Sequence, residues 1–307
     1  MMQHVLNAVF VLLAFLSSLS LLHAETYYVN FQVRDPAGLY IPKLSLEDLR
    51  LSVDGVEKQP AYLFGRDLPM AIAVFYDNGP SMAPEVFTMN PYYQTPLQRS
   101  STMTLEILDN LKADYAMALY SYFQEPVRLT DFTSDAEMLE RGLRNLRGMD
   151  KHVEVEVPLA RLSIALDRGI EMLKKRDEKR KALLFFSYVM DQDTSHMLDS
   201  LPRRLARHNI ELYVISFGPR SATGPGFTQQ ERMSAYWFRK LTDGETANFY
   251  LADMYREDLR QLSFEIASRW NTTFTLAFES NEPLGGKPFK IELAKPQMKV
   301  LARRTLP

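Results

Sequence analysis

Residues 68–82 read LPMAIAVFYDNGPSM, an almost wholly apolar run from Met70 to Tyr76 that stops at Asp77 and turns through Asn78, Gly79 and Pro80 into Ser81. Hydrophobicity without apolar/polar alternation describes a strand covered on both faces, as in a parallel sheet between two helix layers. An acidic residue at the carboxyl end of such a strand sits where open α/β sheets keep their binding sites.

Working outward, the same kind of run returns at Lys181–Val189 (KALLFFSYV) and Ile210–Phe217 (IELYVISF), with a further strand at Tyr115–Phe123 (YAMALYSYF). Between them the apolar residues change to helical spacing. Met103, Ile107, Leu108 and Leu111 share a face within Thr102–Lys112, and Leu159, Leu162, Leu166, Ile170 and Leu173 share one within Val157–Lys175. Ser134 and Glu137 have capping-box spacing ahead of Met138, Leu139, Leu143 and Leu146. Further helices are expected at Met197–His208, Met233–Leu241 and Arg256–Trp270, with a short edge strand at Phe249–Leu251. This alternation implies right-handed βαβ crossovers and an α/β fold, a doubly wound and mainly parallel sheet with helices on both faces.

Both ends of the chain read differently. Tyr28, Asn30 and Gln32 alternate with Val29, Phe31 and Val33, the period of a half-buried antiparallel strand. Ser45 is placed to cap one helical turn before Leu49. Leu51–Val53 and Glu57–Phe64 flank an Asp54-Gly55 turn as a hairpin. After Asn271 come TTFTLAFES, a turn over Asn281–Gly286, PFKIELA and MKVLARR, two or three antiparallel strands. The expected layout is a leader at 1–24, an α/β domain at 67–270, and a small antiparallel β module formed by both chain ends, 25–66 and 271–307.

The 307 residues are 46% hydrophobic and 24% charged, an ordinary globular composition. A net charge of −2 gives no reason to expect nucleic acid or an anionic membrane surface as partner. The basic clusters Lys174–Lys181 and Arg203–Arg207 read as solvated helix faces, because acidic residues are interleaved nearby. The absence of cysteine excludes disulfides, thiolate metal sites and a cysteine nucleophile. The leader, apolar from Val5 to Leu22 with Ala24 before Glu25, reads as a secretory signal cleaved near Ala24. It implies a periplasmic or secreted protein, with membrane attachment only if the leader is kept.

The phrase LSLEDLRLSVDGVEKQ, the strand ending DNGPSM, then LTDFTSDAEMLERGLRNL, KALLFFS, IELYVISFG and the closing TFTLAFES…GGKPFKIELA together resemble the secreted bacterial von Willebrand factor A (VWA)-related proteins. The resemblance covers nearly the whole chain after the leader and implies a protein-protein interaction or adhesion module with a metal-ion-dependent adhesion site. In that site an Asp and two hydroxyls of D-x-S-x-S, a Thr from a second loop and an Asp from a third surround Mg²⁺ or Mn²⁺. Asp77 matches the first position and Ser81 the third, whereas Gly79 stands at the middle Ser and brings no side-chain oxygen. The stretch EVEVPLARLS carries no Thr, and Tyr188-Val189-Met190 stands where the third-loop Asp belongs. Asp191 and Asp193 lie just beyond.

The residues therefore suggest a dismantled metal site, with Asp77 accepting N–H groups of its turn, Ser81 capping a helix start and Tyr188 at the old metal mouth. The alternative is a metal-dependent adhesion domain using Asp77, Ser81 and Asp191. A hydrolase at the same edge is the competing class, but no G-x-S-x-G elbow occurs, and Gly79 stands where a haloacid dehalogenase-type phosphatase needs a second Asp. The expected work is metal-independent binding of an unidentified protein. The loop from Met82 to Ser101 carries Phe87, Met89, Tyr92 and Tyr93, the composition of an interface or of a packed cover over the carboxyl edge. With Tyr188 these aromatics form the expected partner-binding set.

Overall fold

The computed structural model describes residues 24–79, 82, 94–147, 161–188, 196–197, 199–217, 236, 247–251, 259–295, 297–302 and 306. At its centre lies β5, Met70–Asp77, in which every residue is buried. It belongs to a six-stranded sheet of order β10-β9-β8-β5-β6-β7. The partners are β6 (Tyr115–Tyr122), β7 (Pro126–Thr133), β8 (Arg180–Ser187), β9 (Ile210–Ser216) and β10 (Ala247–Leu251). All neighbouring pairs are parallel except β6 and β7. The mainly parallel α/β sheet expected from the apolar runs is present. The stretch Pro126–Thr133 is an eight-residue antiparallel edge strand. Its proline is tolerated because it stands at the first position of an edge.

Alternate residues of β5 serve two cores, which is why the run cannot afford a polar position. Ile72, Val74 and Tyr76 face one layer, made of α1 (Pro96–Asn110), α2 (Ala136–Arg147) and α5 (Leu259–Thr272). Ala71, Ala73 and Phe75 face the other, made of α3 (Leu162–Lys174) and α4 (Leu201–Arg207). Each fully buried Leu, Ile or Phe contributes about 1.5–3 kcal/mol, so both layers stand on strand side chains rather than on helix propensity.

Two helix starts differ from the sequence expectation. α1 begins at Pro96 rather than near Thr102, because Thr95 Oγ1 accepts the Gln98 N–H at 3.1 Å and Gln98 Oε1 accepts the Thr95 N–H at 3.3 Å. Pro96 is thus a first-turn residue and not a breaker. α2 is capped by Asp135, whose Oδ1 accepts the N–H groups of Glu137 at 2.9 Å and Met138 at 3.2 Å, rather than by Ser134.

The chain ends meet as expected, but as two sheets. β1 (Glu25–Arg34), β11 (Phe274–Ser280), β13 (Lys299–Ala302) and β4 (Tyr62–Phe64) form one, in the order β13-β1-β11-β4. β12 (Phe289–Leu293), β2 (Leu49–Val53) and β3 (Val56–Lys58) form the other. Val29, Phe31, Leu51, Leu276, Phe278 and Ile291 interlock between them in a separate core. The Asp54-Gly55 turn, with φ of 53° and 77°, joins β2 and β3 as anticipated. The segment Glu57–Phe64 is not one strand, however: β3 ends at Lys58, and after Gln59 and Pro60 the chain crosses to pair β4 with β11. Pro60 has no N–H to continue the first ladder.

Polar contacts join this β module to the amino edge of the α/β sheet. Gln32 Nε2 donates to Thr273 Oγ1 at 2.9 Å and to the Arg269 carbonyl at 3.1 Å, and Asn30 Nδ2 donates to Glu211 Oε1 at 3.2 Å. Arg180, 1% exposed, donates to the carbonyls of Leu68 and Trp270. Burial pushes its guanidinium pKa down, and the Trp270 carbonyl near the α5 C-terminus supplies the compensating negative dipole.

Candidate binding site at the carboxyl edge

Asp77 ends β5 at 3% exposure. Its Oδ1 accepts the Gly79 N–H at 2.8 Å, closing the turn, and its Oδ2 accepts the Tyr188 N–H at 3.3 Å from the end of β8. The Ser187 hydroxyl lies 3.5 Å from the same Oδ2. The turn is held from below as well, since the Asn78 N–H donates to the Tyr122 carbonyl at 2.8 Å and the Met82 N–H to the Gly79 carbonyl at 2.9 Å. A short acidic side chain bonding backbone two residues on is the usual stabiliser of such a turn.

Gly79 occupies a filled position. A Cβ placed on it would come within 3.0 Å of Asp77 Oδ1 and 3.2 Å of Cδ2 and Cε2 of Phe123. Phe123 follows directly on β6, whose Tyr122 pairs with Asp77, and its carbonyl accepts the Arg161 N–H at 2.6 Å at the start of α3. The ring that lies against Gly79 is therefore that of Phe123. Tyr188 is half-buried and packs against the core on the α5 side of the sheet. The signal was available in part: YAMALYSYF ends on an aromatic at the strand next to β5, opposite a glycine.

Two residues that sequence reasoning passed over stand at this edge, Ser187 beside Asp77 and Ser216 one strand further on. Ser187 and Ser216, the last residues of β8 and β9, are in register and buried. The Ser216 Oγ lies 3.4 Å from the Tyr188 carbonyl. Both strands ending in serine was the visible clue. Deeper in the same edge, the Tyr76 hydroxyl meets Thr104 Oγ1 at 2.6 Å, and burial raises its pKa well above the ordinary value.

Ser81, Asp191, Asp193, Phe87, Met89, Tyr92 and Tyr93 lie outside the described residues, as does the leader before Ala24. Among the described residues there is no group of three or more His, Cys, Asp or Glu placed to hold a metal ion. A divalent-ion shell needs hard oxygens in near-octahedral array. In the described part of the edge the Asp77 carboxylate accepts two backbone N–H groups and has the Ser187 hydroxyl 3.5 Å from Oδ2. No helix among the described residues is long and apolar enough to cross a membrane.

No protein-family profile matches the chain, and no curated protein is similar to it in sequence. Solved structures are similar to it. The VWA domain of SpRpn10 has a TM-score of 0.44 at 16% identity, covering 63% of this chain and 93% of that one. BatB from Bacteroides thetaiotaomicron has a TM-score of 0.43 at 11% identity, covering 65% and 98%. The von Willebrand factor type A protein from Catenulispora acidiphila has a TM-score of 0.46 at 9% identity, covering 92% and 74%.

Proposed function

We propose that the chain is a non-enzymatic, extracytoplasmic protein-binding module that captures its partner without a divalent ion. The observation that supports this reading is the packing around Gly79: the Phe123 ring leaves only 3.2 Å to a Cβ placed there, and the Asp77 carboxylate is held by the N–H groups of Gly79 and Tyr188. A buried carboxylate satisfied in this way is a brace for its turn. Ser187, the hydroxyl beside it, is 0% exposed, which leaves a substrate no approach to a nucleophile there and counts against the hydrolase reading. Partner contact is assigned to Phe87, Tyr92, Tyr93 and Tyr188, the aromatic set offered by the sequence. The extracytoplasmic assignment rests on the leader at 1–24.

Calorimetric titration of the full chain with Mg²⁺ and with Mn²⁺ tests the metal-free part. No saturable heat is expected from either ion. Micromolar binding that disappears in Asp77→Ala would overturn the reading and favour a shell of Asp77, Ser81 and Asp191.

A further inference from the structure

The two basic clusters that read as separate solvated helix faces are neighbours in space. The turn between α3 and β8, with the first residues of β8, brings Arg176, Lys179 and Lys181 to the amino edge of the sheet, and α4 brings Arg203 and Arg207 beside them. They line a cleft of about 720 Å³ whose opposite wall is the β module, through Tyr28, Pro283 and Gly286. A second cavity of about 530 Å³, between α3 and α4, shares Arg203, Arg207 and His208 with the first, so the same cations line both.

Part of this positive charge has a local explanation. Lys174 and Arg204 lie in last helical turns, where cations complement the dipole, and they pair with Glu171 and Asp167; Arg176 pairs with Glu178. Arg207 also lies in the last turn of α4, but Lys179, Lys181 and Arg203 have no such explanation. Lys179, Lys181, Arg203 and Arg207 form no ion pair with a described residue, and Lys179 and Lys181 belong to no helix. Lys179 Nζ lies instead over the Tyr28 ring, 4.9 Å from its centroid. Burial, with Lys179 as the next contribution, pushes the Lys181 ammonium pKa down, and burial followed by Lys174, Lys181 and Arg207 does the same for His208. Cations gathered so that they disfavour one another, in a concave and partly desolvated wall, are the arrangement an incoming anion relieves.

The walls also select the kind of anion. Glu25, Asp177 and Glu178 line the same cleft and repel a continuous polyanion such as a nucleic-acid backbone, and a groove between two modules is closed to a flat bilayer. A narrow chain with spaced carboxylates satisfies both conditions. We propose that this groove at the amino edge of the sheet binds an acidic peptide segment of a partner protein. It lies at the opposite edge from Asp77, and its occupancy is independent of what meets the carboxyl edge.

Fluorescence anisotropy of the full chain with a fluorescein-labelled peptide of alternating Glu and Gly tests this, at low ionic strength and with added salt. Saturable binding that weakens with salt is expected. Arg203 and Arg207 are exposed, so Arg203→Glu with Arg207→Glu should lower affinity about tenfold or more while the melting temperature stays within a few degrees. Lys179→Glu, outside any helix, should lower it in the same direction and separates groove charge from helix effects. Equal affinity of wild type and both variants for the peptide overturns the proposal. So does binding of inorganic pyrophosphate, or of phosphatidylglycerol vesicles, under conditions where the peptide does not bind.

Discussion

Gly79→Ser restores the hydroxyl that a D-x-S-x-S loop would carry, and the surrounding geometry sets its cost. The new Cβ would sit 3.0 Å from Asp77 Oδ1 and 3.2 Å from the Phe123 ring, a few tenths of an ångström inside ordinary contact, before its Oγ is added. No positive φ is involved at this glycine, so the penalty is packing alone. Overpacking of this size costs about 2 kcal/mol. Phe123→Ala, at a half-buried position, should cost about 2 kcal/mol by itself. Combined, the two should cost less than their sum by about 1 kcal/mol, because removal of the ring makes room for the serine. Urea titration of the four proteins, followed by tryptophan fluorescence and circular dichroism, gives the cycle, and Mg²⁺ calorimetry on each adds a second readout. Gly79→Ser within about 0.5 kcal/mol of wild type, or strict additivity with Phe123→Ala, would refute the claim that Phe123 fills this position.

Three further outcomes follow from other parts of the molecule. Gly142→Ala should destabilise by about 2–3 kcal/mol in the same titration, since its Cβ would fall 2.1 Å from Thr130 Oγ1 on β7, and Thr130→Ala should recover part of the loss. Burial holds the Tyr76 phenol pKa above its ordinary 10.0. The folded state therefore keeps a proton that the unfolded state releases, so stability is complete below pH 10 and falls as pH rises above it. Tyr76→Phe should lose about 1 kcal/mol with the Thr104 hydrogen bond yet flatten that alkaline decline; an unchanged decline assigns it to other groups. At the proposed partner surface, Tyr92→Ala with Tyr93→Ala should abolish capture while leaving the melting temperature nearly unchanged, and a large loss of stability would mark both as packing residues.

The sheet was legible because its signal is local. A strand covered on both faces needs an apolar residue at nearly every position, and MAIAVFY, ALLFF and LYVI meet that requirement without reference to any partner. Boundaries were less legible where one residue type has two uses. Pro96 starts a helix rather than breaking one, and Pro60 moves the chain between sheets, yet both resemble loop residues in one dimension. The turn role of Asp77 could be anticipated, since an Asx side chain reaches its own backbone.

By itself, then, the order of apolar periods determined an α/β sheet with a β module drawn from both ends, and the residue types at the carboxyl edge marked Asp77 and Gly79 as the positions that matter. Only the tertiary structure decided that Phe123 lies against Gly79, that Ser187 and Ser216 end side by side, and that two basic stretches line one cleft. Periodicity depends on which residues follow one another along the chain. Contacts across the sheet depend on register and crossover, which are set by how two layers of helices pack on strands far apart in sequence.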